Sequence, residues 1–462
     1  MKDKKIEDVV ASEKASIKEV MRSIDHSGLR VAYIVDDNNK LVGAVSDSEI
    51  RKAILKGIDI NEPVKGILNP TPVVLREKDL SDQYAVKKTI KKLLERMPDS
   101  RYILILDKED RPQKITLWSN LISGEGITQK RYHENVKNVL VVGGAGYLGS
   151  VLVRKLVSRG YMVKVLDILM YGSESLKDLL DNENFKLIEG DMRNISTITQ
   201  ALIDVDAVIN LAAIVGDPAC KSKPETAIET NYLANKVLAE ACKYHQINRF
   251  IYASSCSVYG VMEGDQELDE DSPLNPVSLY ARSKIQSEEG ILSLMDENFS
   301  PTILRMGTLY GYSPRMRFDL VVNAMTKTAT VDKKIFVHGG GKQWRPLLSV
   351  EDAADAYIKC LESPLAKVRG QIYNVGSREL NLQIYKIAER VKECIPDAEI
   401  IFEGENTDAR NYFVSFKKIE NQLGFKSADK LRSEIERIKQ AIQNKEIKDV
   451  NDPKYYNVEE NR

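Results

Sequence analysis

The chain has 462 residues, 43% of them apolar and 29% charged, with a formal net charge of -1. That length allows two or three domains with ordinary globular cores, and the near-zero charge excludes a basic field that would draw in nucleic acid. No run of about 18 apolar residues occurs, the opening MKDKKIEDVV lacks the apolar core of an export signal, and the five cysteines and four histidines are scattered, so a cytoplasmic protein with reduced thiols, no membrane contact and no metal is expected.

The first ~120 residues contain a repeat. RVAYIVDDNNKLVGAVSDSEI, from Arg30 to Ile50, aligns without gaps to RYILILDKEDRPQKITLWSNL, from Arg101 to Leu121. Each copy reads as a strand, an acidic turn, a second strand and the start of a helix, and amphipathic stretches such as SIKEVMRSI come before. Residues 1–122 resemble a pair of CBS domains, an α+β module. The resemblance implies internal pairing and, in many members, an adenine nucleotide (AMP, ADP or ATP) in the cleft. Ligand-binding members carry Ser or Thr followed three residues later by Asp. Here the places hold Ser46 with Glu49 and Leu117 with Asn120, so a nucleotide site and a purely structural module both stay open.

Residues 123–135, SGEGITQKRYHEN, read as a linker. From residue 136 to about 445 short apolar strands alternate with helical stretches, which predicts a parallel sheet of βαβ units. The fold expected there is α/β, a Rossmann-type doubly wound parallel sheet with a small C-terminal substrate region. In NVLVVGGAGYLGSVLVRKLVSRG the glycines Gly143, Gly146 and Gly149 lie between a strand and a helix, with Tyr147 and Leu148 among them. Such a turn brings backbone N–H groups and a helix N-terminus to a diphosphate. The next strand, YMVKVLD, ends in Asp167, about 20 residues on, where a carboxylate accepts from ribose hydroxyls and repels a 2′-phosphate. NAD is therefore the expected cofactor.

Further on, SLYARSK places Tyr280 and Lys284 four apart, on one face of a helix. A phenol with an ordinary pKa near ~10 is a poor base at neutral pH, and making it one takes about 4 kcal/mol of differential stabilisation. A nearby ammonium and a positive nicotinamide ring are expected to favour the phenolate.

With these motifs, and with GDMRN, NLAAIVGDP, YASSCSVYG and GGGKQWRPLLSVED in order, the chain resembles the extended short-chain dehydrogenase/reductase family, in its nucleotide-sugar epimerase/dehydratase branch. The resemblance runs from about Asn138 to about residue 430. It implies that Ser255, Tyr280 and Lys284 are catalytic, with Lys284 also holding the nicotinamide ribose. It implies that Asp191 and Met192 flank the adenine and that Leu211, Ala212 and Ala213 line the cofactor. Arg345 and, as a second candidate, Arg410 would meet the diphosphate of a sugar nucleotide, the alternative being surface ion pairs. Ser255, Cys256, Ser257 and Thr308 would face the substrate; many relatives carry Asn at the place of Thr308. Relatives usually dimerise, so a homo-oligomer is expected.

Three chemistries share such a site. A 4,6-dehydratase normally carries Asp-Glu directly after the catalytic hydroxyl, whereas here Cys256 and Ser257 follow. A 3,5-epimerising enzyme uses a Cys two positions after it, and Cys256 is one position after. Reversible epimerisation needs only the three catalytic residues and is favoured over one-way oxidation, keto reduction and 4,6-dehydration. A non-catalytic sensor of NAD and adenine nucleotide is the alternative of another class. Residues 446–462 are polar and expected to form a loose tail.

Overall fold

The computed structural model describes residues 5–96, 102–121, 136–261, 267–296, 298–404 and 410–457. The chain divides into two compact units, Met1–Tyr132 and His133–Arg462. The expected linker 123–135 lies outside the described residues.

In the first unit, β1 (Val10–Ser12), β2 (Val31–Val35) and β3 (Leu41–Ser46) form one small sheet; β4 (Leu75–Arg76), β5 (Tyr102–Leu106) and β6 (Pro112–Leu117) form another. In each, the first strand runs parallel to the second and the second antiparallel to the third. The two hairpins turn by the same device. Asp36 Oδ1 accepts from the N–H groups of Asn38 and Lys40 at 2.8 and 2.9 Å, and Asp107 Oδ1 accepts from Glu109 and Arg111 at 2.8 Å each. Asn39 and Asp110 both take φ of 60°, which Asn and Asp tolerate best after Gly. The register shifts after Ile34 in one copy and after Ile105 in the other. The sequence repeat is thus a structural repeat, and its copies share a core in which Val31, Tyr33 and Ala44 pack with Tyr102, Leu104 and Ile115. Ser46 and Glu49 form a capping box at the start of the helix Asp47–Leu55, so the hydroxyl and carboxylate at the nucleotide position of copy one are used by a helix end.

The second unit is built on seven parallel strands: β7 (Asn138–Val142), β8 (Met162–Asp167), β9 (Phe185–Glu189), β10 (Ala207–Asn210), β11 (Arg249–Ser255), β12 (Ser300–Met306) and β16 (Ile372–Val375). Their order is β16-β12-β11-β10-β7-β8-β9. Alternate residues of β7 face opposite layers. Val139 and Val141 pack with Leu152 and Tyr357 on one side, while Leu140 and Val142 pack with Leu238 and Phe250 on the other. Both faces are covered, so the strands read as continuous apolar runs. The order reverses between β7 and β10, the place where sheets of this kind leave a crevice beyond the strands' carboxyl ends.

A smaller region adds β13 (Thr308–Tyr310), β14 (Lys334–His338), β15 (Trp344–Ser349), β17 (Asn381–Gln383) and β18 (Glu399–Glu403), in sheets of order β13-β15-β17 and β14-β18. The helices Val321–Val331, Ile384–Cys394 and Leu431–Gln443 bury Val322, Ile387 and Ile435 against it. The expectation of a loose tail gives way here. Ile447 is buried in the main core, and Val450, Tyr455 and Tyr456 pack against it. Apolar side chains among polar neighbours supply the attachment that composition alone concealed. Among the described residues no helix is long and apolar enough to cross a membrane.

Candidate active site

The glycine loop sits where β7 meets the crevice. Gly143 has φ of +81°, and a Cβ there would come within 2.8 Å of the Ala212 nitrogen. The loop therefore rests against residues 211–213, which leave the end of β10. At Gly149 a Cβ would lie 2.3 Å from the Gly143 carbonyl oxygen, so only Gly lets the helix Tyr147–Ser158 start so close to the turn. Gly146 is its N-cap, in extended conformation, and no side chain caps it. The first N–H groups of this helix are thus available to an anion. Tyr147 contributes only its backbone there, because its phenol turns away and donates to the Gly311 carbonyl at 2.7 Å. Leu148 packs, half-buried, against the core.

Asp167 ends β8. Its carboxylate accepts from the N–H of Ala145 at 2.9 Å and of Leu169 at 2.8 Å, and burial raises its pKa against these bonds and the nearby Arg315 charge. Asp191 pairs with Arg193 at 2.7 Å, which holds its carboxyl below the usual range; Met192 beside it is buried. A turn closed to a Cβ at Gly143 and Gly149, an uncapped helix start and a carboxylate one strand over fit an adenine dinucleotide with a free ribose.

Ser255 is the last residue of β11, and a tight turn, Cys256–Tyr259, follows. The helix Leu279–Leu292, capped by Ser278, carries Tyr280 and Lys284 on one face. The three come together. Ser255 acts on the Tyr280 phenol in favour of its ionised form, and Lys284 Nζ lies 5.6 Å from the Tyr280 ring centroid. Lys284 is fixed by donating to the Ala253 carbonyl at 2.7 Å and to the Tyr252 hydroxyl at 3.3 Å. Burial lowers its pKa to about 8. Burial also raises the pKa of Tyr280, against the opposing Arg317 charge and the Ser255 hydroxyl. The ionised phenol expected from the sequence is thus disfavoured by the protein alone and needs a further cation close by.

The strand and helix bearing these groups are clamped together. The Ser254 hydroxyl donates to Glu288, one turn beyond Lys284, and Glu288 pairs with Arg305 of β12 at 2.7 Å with both side chains 3% exposed. Ser257 donates its N–H to the Ser255 oxygen at 3.2 Å; its own hydroxyl is buried without a hydrogen-bond partner among the described residues. Cys256 departs from expectation. It is 1% exposed, its thiol donates to the Arg305 carbonyl at 3.3 Å, and it packs with Tyr259, Tyr412 and Phe416. It belongs to the wall behind the site, and burial raises its pKa.

On the substrate side, Arg345 of β15 is buried and donates to the Trp344 and Arg410 carbonyls at 2.7 Å each. Arg410 lies 3.2 Å from an Asp217 carboxylate oxygen. Asp217 and Cys220 in turn act electrostatically on Tyr280, so both arginines share a neighbourhood with the phenol. Thr308 opens β13, half-buried, paired with Leu347 two residues after Arg345. Asp217, Arg315 and Arg317 escaped the sequence reading. Asp217 stands in the quoted NLAAIVGDP and carries a signal only as a lone acid after a strand end; the two arginines, in SPRMRFD, stand in no motif with a mechanism attached.

The amino-acid sequence is 29% identical to the dTDP-D-glucose 4,6-dehydratase of Homo sapiens over 278 residues, covering 58% of this chain and 77% of that protein. It is 29% identical to the UDP-glucose 4-epimerase of Lactobacillus helveticus over 273 residues, covering 55% of this chain and 81% of that protein. The crystal structure of UDP-glucuronic acid 4-epimerase from Bacillus cereus, in complex with UDP-glucuronic acid and NAD, aligns with a TM-score of 0.61 at 25% identity, over 66% of this chain and 99% of that one. The CBS domain model matches residues 4–56. The model of the NAD dependent epimerase/dehydratase family matches residues 139–376, more than half of the chain, and the chain belongs to that family.

Proposed function

We propose that this chain is an NAD-dependent nucleotide-sugar epimerase. The observation that carries this reading is the Ser255–Tyr280–Lys284 arrangement on a clamped strand and helix, with no carboxylate at the two positions after Ser255. NAD, when bound, supplies the acceptor and donor of hydride for the sugar carbinol. Ser255 holds the sugar hydroxyl and passes its proton to the Tyr280 oxygen. Lys284 keeps positive charge beside the Tyr280 ring. Arg345 and Arg410 hold the substrate diphosphate, for which a planar guanidinium is suited, and release of the keto sugar's ring from the catalytic hydroxyls lets it present its other face. The test is incubation with UDP-, GDP-, dTDP- and CDP-sugars, following reduced-nicotinamide absorbance and the product by NMR. An epimer with transient reduction is expected. A 4-keto-6-deoxy product would reassign the enzyme as a dehydratase, and no product with any donor would favour the sensor.

Residues 1–122 are proposed to bind an adenine nucleotide that shifts this activity. The paired copies with a shared core support this. Rates unchanged by AMP or ATP would refute it. A homo-oligomer is also proposed, supported by the exposed apolar side chains of Leu233, Val237 and Tyr244 along one helical stretch; light scattering of the purified protein tests it.

A further inference from the structure

Residues 311–320, between β13 and the helix Val321–Val331, lie against the first turn of the glycine-loop helix. Ser313 Oγ donates to the Tyr147 carbonyl at 2.6 Å and lies 3.0 Å from Ser150 Oγ, and Tyr147 donates to Gly311. Asn323 ties the loop together by donating to the Arg317 carbonyl and the Tyr147 hydroxyl at 3.0 and 3.1 Å. The loop therefore flanks the uncapped helix start where a cofactor diphosphate belongs.

It carries two buried arginines, Arg315 (5% exposed) and Arg317 (8% exposed). Arg317 pairs with Asp319 at 2.5 Å and acts on both Tyr147 and Tyr280. Arg315 is unlike it. Among the described residues it forms no ion pair, and its buried Nε has no hydrogen-bond partner. Its guanidinium stacks 3.8 Å from the Tyr171 ring centroid, four residues past Asp167, and acts on the Asp167 carboxylate. A buried guanidinium with an open N–H and no carboxylate in direct contact is a costly arrangement unless an anion completes it. Burial first, and then the Arg317 charge, lower its pKa to about 10, against the opposing influence of Tyr171 and Asp319.

What holds Arg315 in place is a segment far away in sequence. Arg315 donates to the Asn457 side chain at 2.7 Å. Next along the loop, Phe318 donates its N–H to the Tyr455 carbonyl at 2.9 Å, and its ring meets those of Tyr455 and Tyr456 at 5.8 and 6.4 Å. Lys327 donates to the Tyr456 hydroxyl at 3.1 Å, and that hydroxyl donates to the Val450 carbonyl at 2.9 Å. Residues 450–457 thus act as a strap across the loop.

We propose that Arg315 binds the diphosphate of NAD opposite the glycine loop, and that residues 450–457, through Asn457, position it for that contact. The inference rests on NAD as the family's cofactor. It is tested by calorimetric titration of NAD into the full-length protein stripped of nucleotide. Arg315→Met is expected to weaken NAD binding at least tenfold. Arg315→Lys, which keeps charge and packing but loses the fork, is expected to weaken it by a smaller factor. Asn457→Ala is expected to weaken it several-fold alone and to add nothing in the Arg315→Met background, because the strap acts through the arginine. Thermal unfolding confirms folding of each variant; the Arg315→Lys and Asn457→Ala titrations carry the test where Arg315→Met does not fold. Unchanged NAD affinity in Arg315→Lys and Asn457→Ala, additive losses in the double variant, or a loss confined to sugar-nucleotide binding would overturn the proposal. A parent protein that takes up no NAD would instead overturn the cofactor assignment itself.

Discussion

Tyr280 shows how burial and chemistry pull against each other at a single atom. Its phenol is shielded and kept protonated by its surroundings, with Arg317 and Ser255 opposing. Tyr280→Phe removes the oxygen without changing the ring's volume, so the fold and NAD affinity should survive while turnover falls 10²–10⁴-fold, the usual scale of general acid–base catalysis. Calorimetry and NMR product assays separate the two. Lys284 gives a prediction in stability. Its folded pKa is about 8 against an ordinary 10.5, so between those values the unfolded chain binds more protons than the folded one. Stability contributed at this site therefore rises with pH across that window. Relative to Lys284→Met, the parent protein should gain unfolding free energy between about pH 8 and 10.5, by at most about 3 kcal/mol; denaturant titrations at both ends measure it. A flat difference would mean that Lys284 keeps its ordinary pKa. The spacing of Tyr280 and Lys284 was legible in the sequence because four residues make about one helical turn. The direction of the Cys256 side chain was not, because a tight turn after β11 decides it.

At the level of elements, the glycine loop and the strand–helix clamp make separate demands. Gly149→Ala would drive a methyl group into the Gly143 carbonyl and the Gly144 backbone, neither of which can step aside as a flexible side chain can. The helix must then move off the loop, and NAD affinity should fall by more than tenfold in the same calorimetric titration. Glu288→Gln leaves Arg305 buried beside a neutral amide, and breaking one side of a buried pair typically costs 3–5 kcal/mol. Chemical denaturation should show a loss of about that size, with the Ser255 and Tyr280 side chains still present. The glycine pattern was readable because the turn, the close approach and the helix start each restrict residue choice. The clamp was not, since Ser254, Glu288 and Arg305 lie on three elements and only the sheet order brings them together. The attachment of residues 447–457, within the expected tail 446–462, is not legible for a related reason: Ile447, Val450 and the two tyrosines have no periodicity of their own, and Phe318 and Lys327, which hold the tyrosines, lie more than a hundred residues earlier.

For the whole molecule, each unit has its own core, so a chain begun at His133 should fold, bind NAD and turn over while losing any response to AMP. Rates of that chain and of the full protein, with and without AMP, give the comparison; loss of turnover with retained folding would show that residues 1–132 are needed for more than regulation. The sequence by itself determined the repeat, the βαβ alternation, the glycine turn with Asp167 a strand later, and the placing of Tyr280 and Lys284 on one helix face, because each is written in local spacing or in residues that only one backbone geometry accepts. Tertiary structure alone decided which charges stand beside Tyr280, where Cys256 points, and what holds Arg315. Those depend on strand order and on loops distant in sequence folding back onto one another, and burial there gives the charges of Arg315 and Arg317 strong effects on their neighbours.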